Sequence, residues 1–193
     1  MPLSPSFVQR TPQHVRQVTF HSFERADGLW DIEGHLLDTK AIDVPRPASG
    51  GMHKAGEPIH HMHIRVTVNA QLVVQAIEAA MDAHPVQGCP VALDAMQRMV
   101  GTSMARGWRK SIQTHLEGVA GCTHLRELLY NMATAAFQTV VAAFQTEPHT
   151  PPSHLGKCTG WDFQGPAVLK YYPQFAAWDG AQQPSTASHA DTA

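Results

Sequence analysis

Charged residues are scarce in this 193-residue chain, and that scarcity excludes two classes of partner. Lys, Arg, Asp and Glu make up 16% of the residues, and the formal net charge is −2. Proteins that bind nucleic acids or anionic membranes need a basic surface, which this balance does not provide. Hydrophobic residues reach 43%, an ordinary content that argues against general disorder. We therefore expect a folded protein that binds neither nucleic acid nor membrane.

Long apolar runs and paired cysteines are also missing. The longest apolar candidate, a helix over residues 123–145, is interrupted by polar residues such as Arg126 and Glu127, so no transmembrane helix is expected. The first residues have neither the basic nor the apolar region of a signal peptide. Three cysteines are an odd number, and in a reducing compartment they act as ligands, reactive groups or core residues. These features predict a cytoplasmic protein.

Apolar and polar residues alternate in two regions, and each region predicts an antiparallel hairpin. The first hairpin covers residues 15–36, with Trp30, Ile32 and Leu36 on its buried face. The second consists of strands over residues 59–68 and 72–81. The Pro- and Gly-rich stretch between the two hairpins, residues 41–57, is predicted to be a long loop.

Helices are predicted after the hairpins. Pro90 suits the first turn of a helix that ends near Val100, and an apolar stripe from Leu125 to Phe144 has helical spacing. A short final strand is predicted over residues 167–172. The predicted fold class is α+β, with antiparallel hairpins packed against C-terminal helices. We expect one domain over residues 13–175, between flexible tails at 1–12 and 180–193.

Two cysteines occupy the same kind of position. Cys89 and Cys122 each follow a glycine and stand at the start of a predicted helix. A thiol in that position faces free backbone N–H groups and the positive end of the helix dipole, which favour the metal-binding thiolate. The alternative interpretation is a small buried core residue.

A histidine-rich segment begins the second hairpin. His61 and His63 project from one side of the strand and could hold a metal together. His60 projects from the other side with Met62, which makes it either a buried histidine or a ligand that faces inward.

The order of these motifs resembles that of the iron–sulfur cluster scaffold proteins of the IscU/NifU type. The resemblance covers residues 56–146 and rests on the loop Gly56-Glu57-Pro58-Ile59-His60 followed by Gly88-Cys89 and Gly121-Cys122. In those scaffolds three cysteines converge on one site that binds zinc or an iron–sulfur cluster. The resemblance therefore implies an IscU/NifU-like core with an added N-terminal hairpin, and His60, Cys89 and Cys122 as metal ligands.

The whole chain also resembles a bacterial family of unknown function. The matching segments are residues 27–40 (DGLWDIEGHLLDTK), His60–Arg65 and 121–125 (GCTHL). The resemblance implies roles for His60, Cys89 and Cys122 and implies none for His63, which makes the His61 and His63 pair the weaker candidate. This resemblance implies no particular activity.

A His/Cys/Cys ligand set leaves one tetrahedral position open, as in catalytic zinc sites. These ligands suit zinc or ferrous iron. We therefore predict a metal-dependent enzyme that acts on a small organic substrate, such as an aromatic or acyl compound, by lyase or hydrolase chemistry. Proton transfer is assigned to Asp31, Glu33 and His124, and substrate contacts to Arg65 and Trp30.

One alternative function belongs to another class. A non-catalytic carrier or scaffold of the IscU type would hold an iron–sulfur cluster or a metal ion at the same three residues and deliver it to a partner. The low charge is also compatible with a homodimer.

Overall fold

The computed structural model describes residues 3–46, 50–140, 150–176 and 178. The chain divides into two compact units, Met1–Ala143 and Phe144–Ala193. Val141 and Phe144, which the sequence assigns to the apolar stripe, and the predicted tail at 180–193 lie outside the described residues.

The first unit is built on an antiparallel sheet. Its strands are β1 (His14–Glu24), β2 (Trp30–Lys40), β3 (Val44–Pro45), β4 (Met52–His53), β5 (Pro58–Val68) and β6 (Val74–Ala83). Four of them form one sheet in the order β1-β2-β5-β6, and β3 pairs with β4 in a separate hairpin. Both predicted hairpins are therefore present, and the predicted long loop contains a short hairpin of its own.

Side chains alternate between a covered and an open face of this sheet, as the sequence pattern predicts. On β2, Ile32 and Leu36 are almost fully buried, and so are Met62, Ile64 and Val66 on β5. These residues face one another across the strand pair because the register places Leu36 opposite Met62 and Ile32 opposite Val66. The same register continues to the end of the strands, where Asp38 lies opposite His60.

Helices follow the sheet in the chain. The α-helices of the first unit are α1 (Ala92–Ala95), α2 (Trp108–Leu116) and α3 (Thr123–Val140), with 3₁₀ turns at Cys89–Val91, Met96–Met99 and Gly118–Ala120. The continuous helix predicted from Pro90 to Val100 is thus a series of short turns. The predicted stripe on α3 is confirmed over the described residues. Its buried members are Leu125, Leu128, Leu129, Met132, Ala136 and Val140, and Phe137 is partly buried. No helix in the described part of the chain combines the length and apolar character needed to cross a bilayer.

Close approach of α3 to the sheet depends on Gly34 in β2. A Cβ atom at Gly34 would lie 3.1 Å from the Phe20 ring and 3.2 Å from Met132 Sδ. The missing side chain therefore leaves room for Phe20 of β1 and Met132 of α3. Trp108 connects α2 to α3, because its Nε1–H donates a 2.7 Å hydrogen bond to the backbone carbonyl of Leu129 in α3.

The second unit has a small core of its own, formed by Leu155, Val168 and Phe175. Its α-helix is α4 (Pro166–Tyr171). The strand predicted over residues 167–172 is therefore wrong. Pro166 stands at the start of α4, where its fixed φ suits a helix, and periodicity alone does not separate a helix from a strand in so short an apolar run.

Candidate functional site

A buried carboxylate lies at the polar end of the helix-covered face of the sheet. Asp38, on β2, is 1% exposed. The Arg16 guanidinium on β1 donates two hydrogen bonds of 2.8 Å, one to each carboxylate oxygen. His14 Nε2 lies 3.1 Å from Oδ1, and His60 Nδ1 lies 3.0 Å from Oδ2. Each oxygen of Asp38 therefore has two partners.

The charge on Asp38 is maintained by these neighbours. Burial opposes ionisation of the carboxyl group, but the hydrogen bonds and charge of Arg16, together with the His60 hydrogen bond, outweigh it. The pKa of Asp38 is consequently held below its ordinary value. Asp38 is thus an anion that can only accept hydrogen bonds.

The ionised carboxylate fixes the tautomer of His60. Since Asp38 only accepts, Nδ1 of His60 must carry the proton of their 3.0 Å hydrogen bond. In the neutral imidazole this leaves Nε2 with its lone pair. The His60 side chain is 16% exposed. It therefore lies at the edge of the core, with its ring orientation fixed by Asp38.

His124, in the first turn of α3, joins this group. Its ring centroid lies 3.9 Å from that of His60, and its Nε2 lies 4.0 Å from Asp38 Oδ2. Its Nδ1 lies 3.8 Å from the Cys122 sulfur. Burial, followed by the nearby charges of His60 and Arg16, lowers the pKa of His124. A neutral His124 therefore stands between His60 and a thiol.

The two predicted cysteines share a pocket of about 560 Å³. Cys89 begins a 3₁₀ turn and Cys122 directly precedes α3, so both stand at helix starts as predicted. Both residues are partly buried. Arg98 also lines the pocket and donates a hydrogen bond of 3.2 Å to the backbone carbonyl of His115.

Metal-ligand groups can be compared directly by the spacing of their donor atoms. Within the described ranges, two sets of three residues have donor atoms within 4.8 Å of one another: Asp38, His60 and His124, and His61, His63 and Asp82. Neither set contains a cysteine. The sequence-predicted set of His60, Cys89 and Cys122 is connected through His124 and the shared pocket, and its convergence on one ion stays a prediction.

The remaining predicted residues lie elsewhere. Asp31 and Glu33 alternate with the buried positions of β2 and face the other side of the sheet, which corrects their assignment to proton transfer at the metal site. Arg65 is on that same open face and forms ion pairs with Glu33 at 2.8 Å and Glu78 at 3.1 Å. Trp30 is only 7% exposed and belongs to the core, so its assignment as a substrate contact is also corrected.

The sequence interpretation missed Asp38 and Arg16. A signal for Asp38 was present, because it extends the row of covered positions on β2 that includes Leu36. An acid on an otherwise apolar face is a buried charge that requires partners. Arg16 could not be found in this way, because its pairing with Asp38 depends on the register of β1 against β2.

The comparisons with known proteins define the family of the chain. Residues 14–138 match the model of a family described as a protein of unknown function (DUF2889). The chain belongs to this family, and the predicted membership of a family of unknown function is confirmed. No curated protein and no solved structure matches the chain. The matched residues run from β1 into α3 and include Asp38, His60, Cys89, Cys122 and His124.

Proposed function

We propose that this protein is a metal-dependent enzyme that acts on a small organic substrate by hydrolase or lyase chemistry at His60. One observation carries the proposal: a buried carboxylate orients the His60 imidazole beside a neutral His124, which in turn contacts the Cys122 thiol. A carboxylate that fixes a ligating histidine through its other ring nitrogen is a recurrent feature of metal sites.

In this proposal Asp38 orients His60 and is not itself a ligand of the metal. An ionised carboxylate offers about four lone-pair sites, and four donor contacts from Arg16, His14 and His60 already use them. The proposed donors are His60 Nε2 and the sulfurs of Cys89 and Cys122. This set suits zinc or ferrous iron.

The bound ion would polarise a carbonyl group or activate water. His124 is the group on this chain that we assign to proton transfer, because it is neutral and lies against both His60 and Cys122. Neutral imidazole accepts a proton without first having to lose one.

The pocket beside the thiols is the proposed substrate site. Its volume of about 560 Å³ is within the range of sites for small molecules. Arg98 supplies a cation on its wall, which would attract a carboxylate or acyl oxygen of the substrate. Arg98 thus takes the substrate-binding role that the sequence assigned to Arg65.

A metal or iron–sulfur carrier of the IscU type is the second candidate. Two thiols on the wall of one open pocket favour it, since cargo bound there is accessible to an acceptor protein. A brown protein that transfers iron to an acceptor would support the carrier. A colourless protein that retains zinc against a chelator would support the enzyme. The homodimer and the cytoplasmic location expected from the sequence stay predictions.

Metal analysis of the untagged, full-length protein tests the proposal. We expect zinc or iron in the freshly purified protein, and we expect His60→Ala to lose one ion per chain because it removes the oriented ligand. Cys122→Ser should lose the same ion. His115→Ala, on α2 and outside both donor groups, is the matched control and should keep the wild-type content. Wild-type metal content in His60→Ala with intact circular dichroism would contradict the proposal.

A further inference from the structure

The open face of the sheet carries a second group of metal-ligand side chains. Asp82 Oδ2 lies 3.0 Å from His63 Nε2 and 3.5 Å from His61 Nδ1. The two imidazole rings have centroids 4.4 Å apart. One donor atom from each of the three residues lies within 4.8 Å of the others. We propose that His61, His63 and Asp82 form a second transition-metal site, separate from the one at His60.

Strand geometry explains why these three residues meet. His61 and His63 are two positions apart on β5, so they share a face of the sheet. Across the strand pair, His61 and Met62 of β5 lie opposite Ala83 and Met81 of β6. Asp82 of β6 is therefore the extra residue of a β-bulge. Bulges redirect side chains and recur near functional sites. Here the bulge places the Asp82 carboxylate beside both histidines.

A neighbouring histidine supports His63 as a ligand. His35 lies directly opposite His63 on β2, and their Nδ1 atoms are 2.6 Å apart. One of these two nitrogens must carry the proton. A metal ion held by His63 and Asp82 would replace the proton of their 3.0 Å hydrogen bond, and His63 Nδ1–H would then donate to His35. This is the outer hydrogen bond that ligating histidines commonly make.

The carboxylates of the two groups differ in their surroundings. Asp38 is buried and held by the Arg16 guanidinium, whereas the Asp82 side chain is 60% exposed and its ion pairs are with the two histidines. The Asp82 carboxylate is therefore open to solvent and accessible to a cation. Two imidazoles and one carboxylate favour zinc, nickel or copper over magnesium or calcium.

The second site is independent of the first because the sheet separates them. His60 and His61 are consecutive residues on β5, so their side chains leave opposite faces. His60 contacts Asp38 on the helix-covered face, while His61 contacts Asp82 on the open one. A substitution at either histidine should leave the other group intact.

Calorimetric titration of chelator-treated, untagged full-length protein with zinc chloride tests the second site. The wild type should bind two ions per chain, and both His63→Ala and Asp82→Asn should bind one. His60→Ala should also bind one, and the double variant His60→Ala/His63→Ala none. His115→Ala should match the wild type. Because His63 and Asp82 lie on the open face of the sheet, His63→Ala and Asp82→Asn should keep the wild-type circular dichroism.

Two outcomes separate this inference from the proposed function. Undiminished stoichiometry in both His63→Ala and Asp82→Asn would overturn the second site, whatever His60→Ala does. Loss of one ion in His63→Ala alongside full binding in His60→Ala would support the second site and contradict the first.

Discussion

At the scale of single residues, Asp38 determines the chemistry of the site. A charge in the interior is tolerated only when it is paired and hydrogen-bonded, and Asp38 meets both conditions through Arg16, His14 and His60. The cost of burying the acid is offset by a guanidinium and two imidazoles. The consequence for function is a histidine whose ring orientation and tautomer are fixed before any ligand arrives.

The lowered pKa of His124 predicts that the stability of the protein depends on pH. Its folded-state pKa lies below the ordinary 6.5, so the unfolded chain binds a proton more readily than the folded chain does. Stability from this group is present above pH 6.5 and is lost as the pH falls through the folded-state pKa. We expect the free energy of unfolding of metal-free protein to fall as the pH is lowered from 7, and His124→Gln to weaken that dependence.

Urea denaturation at a series of pH values between 5 and 8 measures this effect. His115→Gln is the matched control and should retain the wild-type pH dependence. An unchanged pH dependence in His124→Gln would show that the imidazole of His124 is not the responsible group.

At the scale of elements, the sequence predicts most of the first unit. The alternation on β2 and β5 and the apolar stripe on α3 are local patterns, and burial of one face of each element produces them. The failures are also local. Residues 90–100 form short turns, and residues 167–171 belong to α4 and not to a strand, because short apolar segments contain too few residues to show a period.

The candidate site was less predictable than the elements. His60 was recognised as facing inward, and Cys89 and Cys122 as helix starts, because each of these features is visible within a few residues. The contact of His60 with His124 depends on how α3 packs on the sheet, and that packing is not encoded in a local pattern. The sequence therefore named residues of the site without their partners.

Gly34 offers a test of the packing of α3 on the sheet. Gly34→Ala places a Cβ atom 3.1 Å from Phe20 and 3.2 Å from Met132. Since both neighbours are packed between the sheet and α3, we expect a loss of about 1–3 kcal/mol in the free energy of unfolding. Gly88→Ala is the control, because a Cβ atom there meets nothing within 4 Å. Equal stability of the two variants in urea denaturation would contradict this view of the interface.

At the scale of the whole molecule, the sheet of the first unit separates two groups of potential metal ligands, one on each of its faces. The helix-covered face ends in the buried Asp38 and the partly buried His60 and His124, and the open face carries His61, His63 and Asp82. Both groups lie within residues 14–138, which match the family. The second unit, with its own small core, lies outside that range.

X-ray absorption spectroscopy of His63→Ala, which lacks the second metal site, tests the central claim most directly when the variant is loaded with one equivalent of zinc. The spectrum identifies the donor atoms around the ion. The sequence-predicted ligands at His60, Cys89 and Cys122 require sulfur scatterers at about 2.3 Å and nitrogen at about 2.0–2.1 Å. Adding Cys122→Ser to this variant should remove part of the sulfur signal. A spectrum with only nitrogen and oxygen neighbours would contradict the proposed metal centre.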